Sequence, residues 1–103
     1  MIDPHLGIEL RHLRYFLVVF DEQHFGRAAL RLGMTRPPLA RSIRALESAL
    51  GVALFIRSNR RLTPTAAAEA LAGDSRKLLL AVESAVAKTR VAGEAAEAER
   101  RSA

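Results

Sequence analysis

The sequence contains no cysteine, few aromatic residues and no long apolar run. Without cysteine, the chain can form neither a disulfide framework nor a thiolate metal site. No apolar stretch approaches the ~20 residues that a membrane-spanning helix needs, and the N-terminus lacks the basic-then-apolar pattern of a signal peptide. The aromatic residues are four Phe and one Tyr, without any Trp. Ala and Leu dominate the composition, which favours helices. We therefore expect a mainly α-helical, cytoplasmic protein.

The usual arrangements of catalytic residues are also missing from the sequence. It has no Gly-rich phosphate loop, no cluster of metal ligands and no plausible Ser/His/Asp grouping. The histidines His5, His12 and His24 do not have the spacing of metal ligands. We therefore expect neither an enzyme nor a bound cofactor or metal ion.

Positive charge is concentrated in one part of the chain. The 103 residues suffice for one domain with a modest core, and their net charge is +5. All of this excess lies before Ala66, and between Arg27 and Arg61 there are eight Arg and a single acid, Glu47. Arginine suits bidentate contacts with phosphates and guanine edges, so the distribution predicts a nucleic-acid partner. The alternative is a solvated charged surface, and the shortage of counter-ions argues against it.

Two short helices are predicted in the first part of the chain. Residues 1–8 show no periodicity and are expected to be a disordered start. Apolar residues then recur at helical spacing and predict a helix over 9–22. A second helix is predicted over 25–32, and Gly33 is expected to end it through a positive φ. His24 is a weak N-cap for this second helix.

A third helix with two unlike faces is predicted over 35–50. Thr35 is expected to cap it by accepting a hydrogen bond from a backbone N–H. The prolines at 37 and 38 then lie in the first turn, where a missing N–H is harmless and a fixed φ favours helix. One stripe of this helix is apolar, ending at Leu50, and the opposite stripe carries Arg41 and Arg44. Arg36 projects from the positive end of the helix dipole.

A hairpin and a long helix are predicted to follow. The apolar run at 52–56 and the segment 57–63 fit two short strands joined by a turn at Ser58–Asn59, with arginines at the tip. Thr63 and Pro64 are then expected to be the cap and the first residue of a helix to Ala92, about 43 Å long at ~1.5 Å per residue. Gly93 is expected to end this helix, so that 93–103 would be a hinge or a disordered tail. The alternative for 94–103 is a helix, which its composition allows although it has no core face.

The long helix carries an apolar stripe whose members alternate four and three residues apart. Such a stripe is too long for a small domain to cover, so we predict pairing with a second copy of the chain. The alternative is a helix folded back on its own domain. The expected dimer contacts are Leu71, Leu78, Leu79, Val82, Ala85 and Val86.

Taken together, these elements predict a winged helix-turn-helix with a two-stranded wing and a long C-terminal linker helix. A helix fits the major groove of DNA and reads base edges, and a narrow basic loop fits the minor groove or the phosphates. The alternative function is a winged-helix adaptor that binds protein and reads no DNA. The expected contacts with double-stranded DNA are Thr35, Arg36, Pro37, Pro38, Arg41, Arg44, Arg57, Arg60 and Arg61, together with Arg27 and Arg31 on the second helix.

Several motifs in order resemble the DNA-binding domain of bacterial LysR-type transcriptional regulators. They are 10-LRHLRYFLVV-19, 37-PPL-39 with Arg41, 46-LE-47, 50-LGVALFIR-57 and 62-LT-63. The resemblance covers residues 9–92 and implies a DNA-binding domain over 9–63 and a dimerising linker helix over 64–92. It further implies an interrupted inverted repeat as the DNA site, a dimer or a tetramer at full length, and a small-molecule inducer bound only by a C-terminal domain absent from this chain.

The chain departs from the family pattern at several positions, among them Ala40, which stands where a hydroxyl residue usually contacts phosphate. Arg36 stands where family members commonly have a glutamine that touches a base. Glutamine favours adenine and arginine favours guanine, so the resemblance implies an altered operator preference. His24 stands in place of the usual serine cap of the second helix.

Overall fold

The computed structural model describes residues 7–102 as four helices and one two-stranded sheet. In chain order the elements are α1 (Leu10–Glu22), α2 (Phe25–Leu32), α3 (Arg36–Leu50), β1 (Phe55–Ser58), β2 (Arg61–Pro64) and α4 (Ala66–Ser102). The predicted fold class, a winged helix-turn-helix followed by a long helix, is confirmed. Residues 1–6 of the expected disordered start lie outside the described residues. Ile8 does not fit that expectation, because it is partly buried against the core.

Hydrogen bonds and glycine conformation set the ends of the first two helices. The backbone N–H of Glu9 donates to Nδ1 of His12 at 3.0 Å, which fixes the start of α1. His24 caps α2 more effectively than expected, because its Nδ1 accepts the N–H of Arg27 at 3.1 Å. Gly33 ends α2 with a φ of 64°, as predicted.

The first turn of α3 contains both prolines, as predicted, but its cap differs from the prediction. Thr35 is the N-cap residue with an extended backbone, yet its hydroxyl makes no capping hydrogen bond. An N-cap side chain normally accepts from the second or third helical N–H. Those residues are Pro37 and Pro38, which have no N–H to donate. The prediction of a Thr35 hydrogen bond was therefore wrong, and the prolines themselves start the helix.

The hydrophobic core lies where the helices meet the base of the hairpin. Phe16 is fully buried, and its ring lies 5.9 Å from the ring centre of Phe20 and 5.8 Å from that of Phe55. Leu39, Ile43 and Leu46 bury the apolar face of α3 in the same core. Leu50, expected on this stripe, is 38% exposed because it is the last residue of α3 and lies beyond the packed part.

The two strands of the wing pair antiparallel, with Phe55 opposite Pro64 and Ser58 opposite Arg61. This register places Asn59 and Arg60 in the turn, with φ values of 50° and 66°. The predicted turn at Ser58–Asn59 was therefore one residue too early. Two-residue hairpin turns favour positive φ at both central positions, because that twist matches the twist of the strands.

Helix α4 starts later and ends later than the sequence predicted. Pro64 belongs to β2, and Thr65 caps α4 by accepting the N–H of Ala68 at 3.2 Å. The helix then continues for 37 residues to Ser102, so the predicted end at Ala92 and the tail from Gly93 were wrong. A glycine within a helix costs only about 1 kcal/mol relative to alanine, and the residues after Gly93 are mostly strong helix formers.

Only the first part of α4 packs against the rest of the chain. Ala68, Ala72 and Ser75 are buried where α4 lies on α1. A hydrogen-bonded ion pair at 2.7 Å joins Arg76 of α4 to Asp21 of α1. All residues from 83 to 102 are exposed. None of the helices within residues 7–102 is both long and apolar enough to span a membrane.

Candidate nucleic-acid interface

The outer face of α3 is cationic and lacks counter-ions. Arg36, Arg41 and Arg44 are exposed, while the opposite face of the helix is buried. None of these three arginines forms an ion pair with a carboxylate of the described residues. The burial of one face therefore holds three uncompensated guanidinium groups toward solvent, as the sequence predicted for this helix.

The wing presents three more exposed arginines, but only one lies at its tip. Arg60 is in the turn, Arg61 begins β2, and Arg57 lies within β1 opposite Leu62. The prediction that all three sit at the tip was therefore wrong for Arg57 and for Arg61, which both lie in paired strands. Arg57 is also held from another part of the chain. Its guanidinium carbon lies 5.0 Å from the centre of the Phe25 ring, in a cation–π contact with the start of α2.

An open cleft separates the N-terminal half of α3 from the wing. Two cavities of about 280 and about 390 Å³ share Phe25, Arg36 and Arg57 as lining residues. Arg60 also lines the smaller cavity, and Arg44 lines the larger. Within residues 7–102, no acidic side chain lines either cavity. The cleft therefore brings together arginines from two separate parts of the chain.

The arginines of α2 are in a different environment. The Nε of Arg27 lies 3.3 Å from Oε1 of Glu22, and a terminal nitrogen of Arg27 donates to the Glu22 carbonyl oxygen at 3.0 Å. A terminal nitrogen of Arg31 lies 3.1 Å from the other carboxylate oxygen of Glu22. Both predicted DNA contacts on α2 are thus partly neutralised within the chain. The sequence interpretation missed this because a count of charges does not show which acid the fold places beside which arginine.

Glu47, the one acid within that segment, does not neutralise the arginines. Its carboxylate accepts the backbone N–H of Leu54 at 2.8 Å and that of Phe55 at 3.4 Å. The hydroxyl of Thr65 donates to the carbonyl of Ala53 at 2.8 Å on the adjoining backbone. The segment 53–55 is therefore fixed from one side by α3 and from the other by the cap of α4. These contacts set the position of the wing relative to α3, and the sequence interpretation gave neither residue that role.

The residues predicted to form a dimer are divided between two environments. Leu71 and Leu79 are partly buried against the chain's own core. Leu78 and Val86 are 40% and 41% exposed. Val82 is partly buried and Ala85 is exposed. Leu80 and Val91, at 64% and 65% exposed, are further apolar residues on α4 that the sequence interpretation did not single out.

Sites for metal ions are not apparent in the described part of the chain. No group of three or more His, Cys, Asp or Glu side chains within residues 7–102 is placed to hold an ion. The candidate interface itself carries exposed guanidinium groups, which suit an anionic surface.

Sequence comparison relates this chain to known regulatory proteins. Residues 10–69 match the family described as bacterial regulatory helix-turn-helix proteins, lysR family. The chain is 49% identical over 83 residues to the HTH-type transcriptional regulator YnfL of Escherichia coli K12, covering 81% of this chain and 28% of YnfL. It is 45% identical over 83 residues to the regulator BudR of Klebsiella aerogenes, covering 81% of this chain and 58% of BudR. The chain therefore spans less than two thirds of either relative.

Solved structures with the same fold include two complexes with DNA. The CbnR_DBD–DNA complex superposes with a TM-score of 0.79 at 37% identity, covering 84% of this chain and 99% of that one. The complex of BenM_DBD with catB site 1 DNA gives a TM-score of 0.77 at 41% identity, covering 81% of this chain and 93% of that one.

Proposed function

The chain belongs to the lysR family of bacterial regulatory helix-turn-helix proteins, and on that premise we propose that it binds double-stranded DNA sequence-specifically to regulate transcription. Helix α3 lies in the major groove, and the wing residues 57–61 lie at the minor groove or its phosphates. The observation that carries the proposal is the exposed face of α3, where Arg36, Arg41 and Arg44 have no carboxylate partner among the described residues.

The packing of α3 supports this mode of binding. Leu39 is fully buried and Ile43 and Leu46 are 2% exposed, so the helix is held firmly by one side. A B-DNA major groove about 12 Å wide admits a helix presented in this way. The compact proline turn lets the N-terminal residues of α3, including Arg36, approach base edges closely. Arginine pairs in a bidentate manner with guanine, so we propose that the base read by Arg36 is guanine.

Dimerisation through α4 is part of the proposal. A two-fold dimer reads an interrupted inverted repeat, because each α3 meets one half-site. The exposed residues Leu78, Ala85 and Val86, with the adjoining Val82, supply the apolar surface for this contact. We expect Leu71 and Leu79 to contribute less to the dimer contact, because both already pack against the core of their own chain. A tetramer and an inducer site are proposed only for a longer protein that contains further domains.

The adaptor function is less well supported than DNA binding. Several of the solved structures with this fold are complexes with DNA, and nothing comparable favours a protein ligand. The relatives YnfL and BudR are transcriptional regulators, so we propose no catalytic role for this chain. We also propose that it acts in the cytoplasm, where bacterial DNA is found.

Binding to a duplex selected from a random pool tests the proposed function. Log affinity should fall linearly with log salt, by about 0.9 per phosphate contact. Arg41→Ala should lower affinity by about 1–3 kcal/mol, roughly 5- to 150-fold. Arg76→Ala is the matched control, an exposed arginine on α4 that pairs with Asp21 away from α3. Equal losses in the two variants, or binding that is insensitive to salt, would reject the proposal.

A further inference from the structure

The cleft between α3 and the wing has the properties of an anion-binding site. We propose that it binds one backbone phosphate of the duplex, and that Phe25 is a positioning residue that holds Arg57 for this contact. The inference rests on the proposed DNA-binding function and assigns a specific task to one part of that interface. It distinguishes Arg57 from the arginines that read bases or only add positive charge.

The first support is the uncompensated charge of the cleft. Arg36 and Arg57 line both cavities, and Arg44 and Arg60 each line one. No carboxylate among the described residues pairs with any of the four. Like charges gathered in this way repel one another, whereas each of them attracts an anion placed between them. A phosphate oxygen also suits the fork of N–H donors of a guanidinium group.

The second support is the way the structure holds Arg57. Phe25 is only 7% exposed and belongs to the core cluster, so its ring is a fixed surface. Arg57 lies 5.0 Å above the centre of this ring. A free arginine loses side-chain entropy when it is immobilised. Stacking on Phe25 restricts the side chain before any ligand arrives, so less of this cost falls on binding.

The third support is the position of the cleft relative to the two grooves. In the proposed complex, α3 occupies the major groove and the wing reaches the neighbouring minor groove. A single sugar–phosphate strand separates these grooves. That strand must pass between α3 and the wing, and this is where the cleft lies. The strand offers phosphates rather than base edges to the cleft.

A methylphosphonate scan of the selected duplex tests the inference with the 103-residue chain. Each substitution replaces one charged phosphate by a neutral group. In the wild type, one position per half-site should lower affinity roughly 10-fold or more, as expected for losing a charge-assisted hydrogen bond. In Arg57→Gln, the substitution at that position should lower affinity by a clearly smaller factor than in the wild type, because one of the charged partners of the phosphate is already absent.

Two further variants separate the role of Phe25 from a general effect on folding. Phe25→Leu should weaken binding about two- to fivefold, the range of an exposed cation–π contact. In the Arg57→Gln background the same change should have no further effect on affinity, although thermal unfolding would show any loss of stability in both backgrounds. Arg61→Gln is the matched control, because Arg61 is an exposed wing arginine that lines neither cavity. It should leave the phosphate sensitivity assigned to Arg57 intact.

The possible outcomes distinguish this inference from the proposed function. If the wild type binds a duplex but no phosphate sensitivity depends on Arg57, the cleft inference is overturned and DNA binding stands. The same holds if Arg57→Gln alters base preference under the wing while every phosphate sensitivity persists, since Arg57 would then read the minor groove. If the wild type binds no duplex at low salt, both are overturned.

Discussion

The arginines of α2 and those of α3 are alike in the sequence but unlike in the structure. Arg27 and Arg31 have side chains 59% and 50% exposed, so exposure does not separate them from the arginines of α3. The difference is that both contact the carboxylate of Glu22. Arg41 and Arg44 have no such partner among the described residues. A surface arginine is therefore more readily available to a polyanion when the fold leaves it without a carboxylate.

The comparison requires that the core hold α3 firmly. Leu39→Ala tests this requirement, and its effect is expected to be the largest. Leu39 is fully buried in the core, so the change should lower the free energy of unfolding by about 2–5 kcal/mol. Urea denaturation followed by circular dichroism measures this loss. Leu30→Ala is the matched control on α2, because Leu30 is 82% exposed and the change should cost under about 0.5 kcal/mol. Similar losses in both variants would contradict the described packing.

The next prediction compares an unpaired arginine directly with a paired one. Arg44→Ala should reduce the slope of log affinity against log salt by about 0.9, the effect of one phosphate contact. Arg31→Ala should change the slope by less, because its charge is already shared with Glu22. Titrations of labelled duplex at several salt concentrations measure both slopes. A larger change for Arg31 than for Arg44 would reverse the ranking of the two helices.

The smallest expected effect comes from making α2 resemble α3. Glu22→Gln removes the carboxylate that pairs with Arg27 and Arg31, and at low salt it should raise DNA affinity by up to about fivefold, the scale of surface ion pairs. Glu94→Gln changes the net charge equally but lies near the far end of α4. An equal rise in both variants would show a general charge effect rather than release of the α2 arginines.

Features that depend on local sequence were the most predictable. Apolar spacing placed α2 at its observed bounds, and Gly33 marked its end. The proline pair located the first turn of α3. The missing Thr35 hydrogen bond could have been deduced as well, because Pro37 and Pro38 remove the donors that a cap needs. By contrast, a mid-helix glycine is a weak signal, so Gly93 alone could not reveal whether α4 continued.

Features that depend on tertiary contacts could not be predicted from the sequence. The pairing of Arg31 with Glu22 joins residues nine positions apart on two helices. The contact between Arg57 and Phe25 joins β1 of the wing to α2, two elements that α3 separates in the sequence. Glu47 is the sharpest example, because a charge count treats it as a counter-ion whereas the fold uses it to bind the backbone of 54–55. Net charge thus indicates the class of partner, and only the fold indicates which charges remain available.

The unbroken length of α4 gives its base a mechanical importance. At ~1.5 Å per residue, its 37 residues form a stiff rod of about 55 Å. A tilt of about 5° at Thr65 would displace the far end by roughly 5 Å, simply from the length of the lever. The Thr65 hydroxyl also donates to the carbonyl oxygen of Ala53, two residues before β1 begins. A displacement of the far end of α4 would therefore reach the residues beside the wing as a much smaller displacement.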